Sequence, residues 1–142
     1  MEFQNPILVN SEDETTSFAE DFSSTLKGGE VVVLNGNLGA GKTFFIKRLL
    51  NNFGIENTTS PSFAIVNEYL GKFKIYHFDF YRIEKINELF DIGFNDYLNN
   101  PDAITFIEWG NLFPQILPGK RIEIKIKIVD DTKREFIIKY HE

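Results

Sequence analysis

The 142-residue chain contains no cysteine and only two histidines, His77 and His141. The lack of cysteine excludes disulfides, thiolate zinc sites, iron–sulfur clusters and a cysteine nucleophile. With two histidines, a His-rich transition-metal site is also disfavoured. A hard cation held by oxygen ligands stays open, because carboxylates and hydroxyls are plentiful.

Long apolar runs and net positive charge are lacking as well. No apolar run approaches the ~18 residues of a membrane helix, and residues 1–10 show neither the basic nor the apolar region of a secretory signal. We therefore expect a cytoplasmic protein without membrane contact. The formal net charge is −6 at pH 7, so the chain as a whole lacks the basic surface that binds nucleic-acid phosphates.

What is present is the composition of a globular protein whose length fits one domain, residues 1–142. The 15 phenylalanines are expected to supply much of its core. Ser11 is predicted to cap a helix with an apolar face repeating every four residues, ended by Gly28 and Gly29. Residues 30–35 are typical of a buried parallel strand, and residues 43–53 of a helix.

Further elements follow from the apolar patterns. Hairpins are predicted from strands at 63–69 with 73–79, and from 121–129 with 135–140. Residues 7–9 are predicted to form an edge strand, and residues 103–107 a buried strand. Residues 82–98 are predicted to be mostly helical, with an interruption near Gly93. The expected fold class is α/β, with a mixed sheet that has a parallel centre and antiparallel C-terminal strands.

The segment at residues 36–43 reads Gly-Asn-Leu-Gly-Ala-Gly-Lys-Thr and matches G-x-x-x-x-G-K-[ST]. Its glycines permit a tight loop whose backbone N–H groups form an anion nest, and the following helix adds its positive dipole end. Lys42 is expected to reach the β- and γ-phosphates, and the Thr43 hydroxyl to ligate Mg²⁺. The strand–loop–helix context fits a P-loop NTPase-like domain that binds ATP. The residues predicted to contact the nucleotide here are Asn37, Leu38, Gly39, Ala40, Gly41, Lys42 and Thr43.

Two acids, Asp79 and Glu108, end predicted strands. In P-loop enzymes one such acid holds the Mg²⁺ shell and another group orients water. A solvated strand end explains either acid taken alone, but beside a phosphate loop at least one of them is expected to act. Trp109, the only tryptophan, is explained equally well by core filling or by a role beside the nucleotide.

These residues leave the reaction open. A GTPase is disfavoured because no Asn-Lys-x-Asp string is present. A nucleoside monophosphate kinase is disfavoured because the chain has only four arginines with which to clamp phosphates. Three hypotheses remain: an ATPase acting through protein partners, a small-molecule kinase, and a nucleotide-gated binding module without appreciable turnover.

Taken together and in order, the motifs resemble the TsaE (YjeE) family of bacterial P-loop ATPases over nearly the whole chain. Residues 34–43 are similar to its phosphate loop, usually written GDLGAGKT. Residues 60–63, 77–82 and 107–109 resemble its SPT[FY], HFDLYR and EW segments. Asn37 stands where the family usually has Asp, which puts Mg²⁺ affinity or a partner contact in question. Ser62 replaces a Thr and keeps the hydroxyl.

The resemblance implies an accessory ATPase that works with the proteins TsaB and TsaD in tRNA threonylcarbamoyladenosine synthesis, is weak alone, and meets tRNA only through the complex. It implies that Lys42, Asp79 and Glu108 are catalytic and that Thr43 and Glu108 hold Mg²⁺. The residues that it adds to the nucleotide site are Thr15, Phe44 and Trp109.

Overall fold

A seven-stranded mixed sheet organises the computed structural model, which describes residues 3, 5–58 and 64–142. The strands are β1 (Ile7–Val9), β2 (Val31–Gly36), β3 (Val66–Leu70), β4 (Lys74–Asp79), β5 (Ala103–Glu108), β6 (Arg121–Ile128) and β7 (Arg134–His141). Their order across the sheet is β1-β7-β6-β2-β5-β4-β3. The four central strands β6, β2, β5 and β4 are parallel. The pairs β3–β4, β6–β7 and β1–β7 are antiparallel, which confirms the predicted class and both hairpins.

Four α-helices lie in the described ranges: α1 (Glu12–Ser23), α2 (Lys42–Asn51), α3 (Asn87–Asp91) and α4 (Phe94–Leu98). Short 3₁₀ turns follow β4 and β5, at Phe80–Arg82, Gly110–Leu112 and Pro114–Ile116. Within these same ranges, no helix has both the length and the apolar character needed to cross a membrane.

The end of α1 differs from the prediction. Ser11 caps the helix as expected, since its hydroxyl accepts the N–H of Glu14 at 3.1 Å. The helix ends at Ser23, before the two glycines. The hydroxyls of Ser23, Ser24 and Thr25 donate to carbonyls three residues earlier, at 2.7 Å each. Such side-chain bonds compete with the helical pattern and favour its end.

The region 82–98 is mostly helical with an interruption near Gly93, as predicted, but its first helix begins later than the pattern indicated. Gly93 has φ 77°, a left-handed conformation that separates α3 from α4. Before α3, the Glu88 carboxylate accepts the N–H groups of Glu84 and Lys85, at 2.7 and 2.9 Å. These bonds satisfy the backbone in a turn at residues 84–85, so α3 begins only at Asn87.

Two apolar cores lie on opposite faces of the sheet. On β2, Val32 and Leu34 face α1 and α2, whereas Val31 and Val33 face the layer that contains α3, α4 and the 3₁₀ turns. Phenylalanine dominates the largest fully buried side chains, as its abundance predicted. These phenylalanines are Phe22, Phe45, Phe78, Phe80, Phe94, Phe106 and Phe136.

Phe45 provides a test of this packing. It is fully buried on α2, with its ring 5.1 Å from Phe136 and 5.5 Å from Phe18 between centroids. Phe45→Ala is expected to lower the free energy of unfolding by about 3–5 kcal/mol, because it leaves a cavity among these rings. The measurement is urea unfolding, with the free energy of unfolding having the same dependence on urea concentration in each variant. The control is Phe90→Ala, at a side chain 55% exposed, which should change stability by about 0.5 kcal/mol or less. Equal losses in the two variants would contradict the packing argument.

Candidate functional site

The candidate site forms where three parallel strands end. β2 ends at Gly36, β5 at Glu108 and β4 at Asp79. Because the strands are parallel, these ends lie at one edge of the sheet, the edge where α/β proteins place their ligands. The register pairs Glu108 with Leu34 on one side and with Asp79 on the other. The two acids predicted from strand ends are therefore neighbours.

The glycine-rich loop (residues 36–43) joins β2 to α2. Gly39 and Gly41 adopt φ 82° and 104°, conformations that side chains disfavour. Gly36 is required for a different reason: a Cβ there would lie 2.7 Å from the carbonyl oxygen of Ile126 on β6. The loop thus depends on glycine both for its turns and for its close contact with the sheet.

Lys42 begins α2 and is buried, with 5% of its surface exposed. Its Nζ donates to the carbonyls of Gly36 and Asn37, at 2.6 and 3.0 Å, and lies 4.2 Å from the centre of the Trp109 ring. Burial lowers the pKa of the Lys42 amine, and the charges of Glu108 and Asp79 offset part of that shift. The lysine is folded back onto its own loop.

Glu108 is equally buried, at 5% exposure, and both of its oxygens are occupied. Thr43 Oγ1 donates to Oε1 at 3.1 Å, and His77 Nε2 lies 2.7 Å from Oε2. Burial alone would raise the pKa of this carboxyl. Two other influences outweigh burial. They are the hydrogen bonds from His77 and Thr43 and the charges of His77 and Lys42, and together they hold the pKa of Glu108 below its usual value. An ionised carboxylate only accepts, so His77 Nε2 is the donor.

Asp79 is engaged locally. Its Oδ1 accepts the N–H of Tyr81 at 3.1 Å, and its Oδ2 lies 3.2 Å from Arg82 Nε. It therefore caps the 3₁₀ turn after β4 while lying beside Glu108. Its side chain is partly exposed, so the carboxylate remains accessible at the edge of the site.

Trp109 adopts φ 63° and ψ 33°, a left-handed conformation that is rare for a bulky residue. Such a conformation costs on the order of 1–3 kcal/mol and persists only where neighbours enforce it. Its N–H donates to the Leu34 carbonyl at 3.0 Å, and its ring contacts that of Tyr81 at 5.0 Å. The turn places the indole over Lys42 rather than deep in the core.

A cavity of about 620 Å³ lies on the α1 side of the loop. Thr15 and Phe44, both implied by the family resemblance, line it together with residues 39–41 of the loop. The β6–β7 turn contributes Asp131 and Thr132, and the start of β7 contributes Arg134. Trp109 is not among the lining residues, so the predicted nucleotide contacts divide between this cavity and the Lys42 side of the loop.

The other predicted loop residues have distinct surroundings. Asn37 bonds Lys42 through its carbonyl, Leu38 is 66% exposed at the loop tip, and Ala40 is buried. The segment at 60–63 that resembles SPT[FY] lies outside the described residues. The roles assigned to these positions stay predictions.

Sequence reasoning missed two residues as parts of the site. Arg134 Nε donates to the Ala40 carbonyl at 3.2 Å and so ties β7 to the loop. Nothing in the sequence around a single arginine at the start of a strand predicts this contact. His77 was noted only as one of two histidines and within a motif, without a role in the site. Its two-residue spacing from Asp79 on one strand was a usable signal, because alternate strand residues share a face.

The donor set fits magnesium. The Thr43 hydroxyl and the Glu108 carboxylate present hard oxygens 3.1 Å apart. Mg²⁺ is usually held by one or two protein oxygens and completes its shell with phosphate oxygens and water. Within the part of the chain that the structure describes, no three or more His, Cys, Asp or Glu side chains group as metal ligands. A metal here would therefore need further ligands from phosphate oxygens or water.

Comparison with known proteins identifies the family. Residues 9–136 match the model of the family described as "Threonylcarbamoyl adenosine biosynthesis protein TsaE". The chain belongs to the TsaE family. A relative from Rickettsia bellii, named tRNA threonylcarbamoyladenosine biosynthesis protein TsaE, is 41% identical over 130 residues, covering 89% of each chain. The TsaE protein of Bacillus subtilis is 39% identical over 129 residues, covering 89% of this chain and 79% of the relative.

A solved structure agrees with this assignment. The crystal structure of YdiB from Bacillus subtilis superimposes with a TM-score of 0.80 at 30% sequence identity. The match covers 100% of this chain and 88% of YdiB. The resemblance inferred from the motifs is thereby confirmed, and the mixed α/β sheet is the fold shared with that relative.

The lowered pKa of Glu108 predicts a pH dependence of stability. Because its folded pKa lies below the unfolded value of about 4.3, ionised Glu108 stabilises the fold above that value. The contribution is lost as the pH falls through the folded pKa. The wild type should exceed Glu108→Gln in stability at pH 7, and the difference should shrink between about pH 4.3 and pH 3. Urea midpoints measured from pH 7 to pH 3 test this. A difference that is constant or grows on acidification would contradict it, and Glu20→Gln on α1 reports the general effect of losing one acid.

Proposed function

We propose that this chain hydrolyses Mg²⁺-ATP as the accessory ATPase of a complex with TsaB and TsaD that supports tRNA threonylcarbamoyladenosine modification. The observation that carries the proposal is the convergence of Lys42, Thr43 and Glu108 at one end of a glycine-rich loop between a parallel strand and a helix. Membership of the TsaE family supports a role in tRNA threonylcarbamoyladenosine biosynthesis. The acidic charge supports contact with tRNA through the partners, and the role assigns the chain to the cytoplasm.

Binding would use groups that the fold already orients. The backbone N–H groups of the loop and the positive end of α2 favour an anion at this position. Lys42 would exchange its bonds with the Gly36 and Asn37 carbonyls for bonds with the β- and γ-phosphates. Thr15 and Phe44 line the adjoining cavity, which has room for the nucleoside part of ATP.

Hydrolysis would follow from electrostatic clamping. Thr43 and Glu108 would hold Mg²⁺, whose charge neutralises phosphate oxygens. Lys42 would stabilise the charge that develops as the γ-phosphoryl group passes to water, giving ADP and phosphate. Asp79 would orient the attacking water. Its bonds to Tyr81 and Arg82 in the present arrangement support a low rate in the absence of partners.

Nucleotide binding is tested at Lys42. Lys42→Ala is expected to weaken ATP binding at least about 30-fold, since removal of one member of a buried charge pair costs about 2 kcal/mol or more. Isothermal titration of ATP in the presence of Mg²⁺ measures the change. Lys47→Ala, an exposed lysine on the same helix, serves as the control and should bind as the wild type does. Unchanged affinity in Lys42→Ala would count against the proposed site.

Hydrolysis is tested with partners. Steady-state phosphate release by the wild type should be slow alone and strongly stimulated by a TsaB–TsaD complex. Asp79→Asn should bind ATP normally but lose about 100-fold or more in stimulated rate, because water would no longer be oriented by a carboxylate. If active partners give no stimulation, the ATPase proposal fails. A substrate-dependent release of ADP would then indicate a small-molecule kinase, and ATP-dependent complex formation without turnover would indicate a gated binding module.

A further inference from the structure

The Glu108 carboxylate has two competing attractions at the site. One is the hydroxyl of Thr43, which donates a hydrogen bond of 3.1 Å to Oε1. The other is the positive charge of Lys42, which is close enough to affect its ionisation. Among the described residues, no ion pair within 4.0 Å joins Lys42 to Glu108. Lys42 is held instead by the carbonyls of Gly36 and Asn37, and the second oxygen of Glu108 has a partner of its own, His77.

We propose that His77 is the positioning residue that holds Glu108 against Thr43 and away from Lys42. The inference rests on the proposed function and extends it, because it keeps Lys42 out of an ion pair with Glu108 and presents Oε1 beside the Thr43 hydroxyl, where Mg²⁺ is proposed to bind. His77 Nε2 lies 2.7 Å from Oε2, the oxygen that Thr43 does not use. Anchoring one oxygen fixes the orientation of the other.

The strand register explains why His77 can do this. His77 pairs with Phe106, and Asp79 pairs with Glu108, two residues further along each strand. Since side chains alternate along a strand, His77 and Glu108 point to the same face of the sheet. Both side chains are largely buried, at 14% and 6% exposure. At such low exposure water is a poor substitute for the His77 bond, so Oε2 depends on this donor, while Oε1 is held by Thr43.

Loss of His77 should lower the affinity for the metal more than the affinity for the nucleotide. Without it, Oε2 would be a buried acceptor without its donor, which is costly. The carboxylate would then relax by rotating toward the Lys42 charge, and Oε1 would leave Thr43. Side chains that orient metal-holding carboxylates typically change metal affinity 10- to 100-fold when they are removed. The backbone N–H groups of the loop, which bind phosphate without metal, would be unchanged.

The test uses three variants at His77 and one control. His77→Phe fills the space of the ring without a donor, and His77→Ala removes the side chain. His77→Gln places an amide N–H the same number of bonds from Cα as Nε2 and so keeps a donor. The control is His141→Ala, because His141 also contacts a carboxylate, Glu123, at 3.3 Å.

The readout is Mn²⁺ binding, by electron paramagnetic resonance, to the full chain saturated with a non-hydrolysable ATP analogue. A parallel titration measures the affinity for the same analogue in EDTA. Mn²⁺ affinity is expected to fall about 10-fold or more in His77→Phe and His77→Ala, and to return to within about threefold of wild type in His77→Gln. Analogue affinity in EDTA should change less than about threefold in every folded variant.

Each contrary result has its own meaning. Unchanged Mn²⁺ affinity in His77→Phe and His77→Ala would overturn the role of His77 and leave the proposed function standing. The proposal would also be overturned if the affinities for Mn²⁺ and for the analogue in EDTA fell equally and His77→Gln restored neither. His77 would then have only a structural role. Failure of the wild type to bind the analogue at all would instead refute the proposed function, and the His77 proposal with it. A comparable loss in His141→Ala would reject any specific role.

Discussion

One buried carboxylate, that of Glu108, connects the parts of this molecule that must act together. It ends the central strand β5 and contacts β4 through His77 and α2 through Thr43. A buried charge is tolerated only where partners compensate it, so the ends of β5, β4 and α2 depend on one another. The positive charge of Lys42 adds to this compensation. The site is thus a shared electrostatic arrangement rather than a set of separate residues.

The glycine-rich loop combines a backbone that only glycine favours with a buried lysine. Its glycines adopt left-handed turns. Lys42, however, satisfies its charge with the carbonyls of Gly36 and Asn37. A bound phosphate would have to replace those bonds. Trp109, held in an unusual left-handed conformation, lies against the same amine. The buried cation is therefore compensated by backbone carbonyls and an aromatic ring.

The surrounding fold supplies the rigidity that this arrangement needs. Cores on both faces of the sheet enclose β2 and β5, and aromatic rings interlock on the side of α1 and α2. The outer strands also reach the site, because Arg134 on β7 bonds the carbonyl of Ala40. A small domain can hold precise geometry in this way: the buried strands position the charged groups, and an outer hairpin supports the loop.

Local sequence determined the loop geometry and most of the elements. The loop geometry follows from adjacent residues, because the glycine conformations and the start of α2 at Lys42 lie within one turn of each other. Strand-like runs on either side of a short turn likewise predicted both hairpins. For 82–98 the local pattern predicted the helices and their break near Gly93 but not the start of α3, which the Glu88 carboxylate delays by bonding the preceding backbone. Only the tertiary structure decided that Glu108 meets Thr43 across 65 residues of chain and His77 across 31. The physical reason is that strand order and register arise from packing of distant segments, which no local preference encodes.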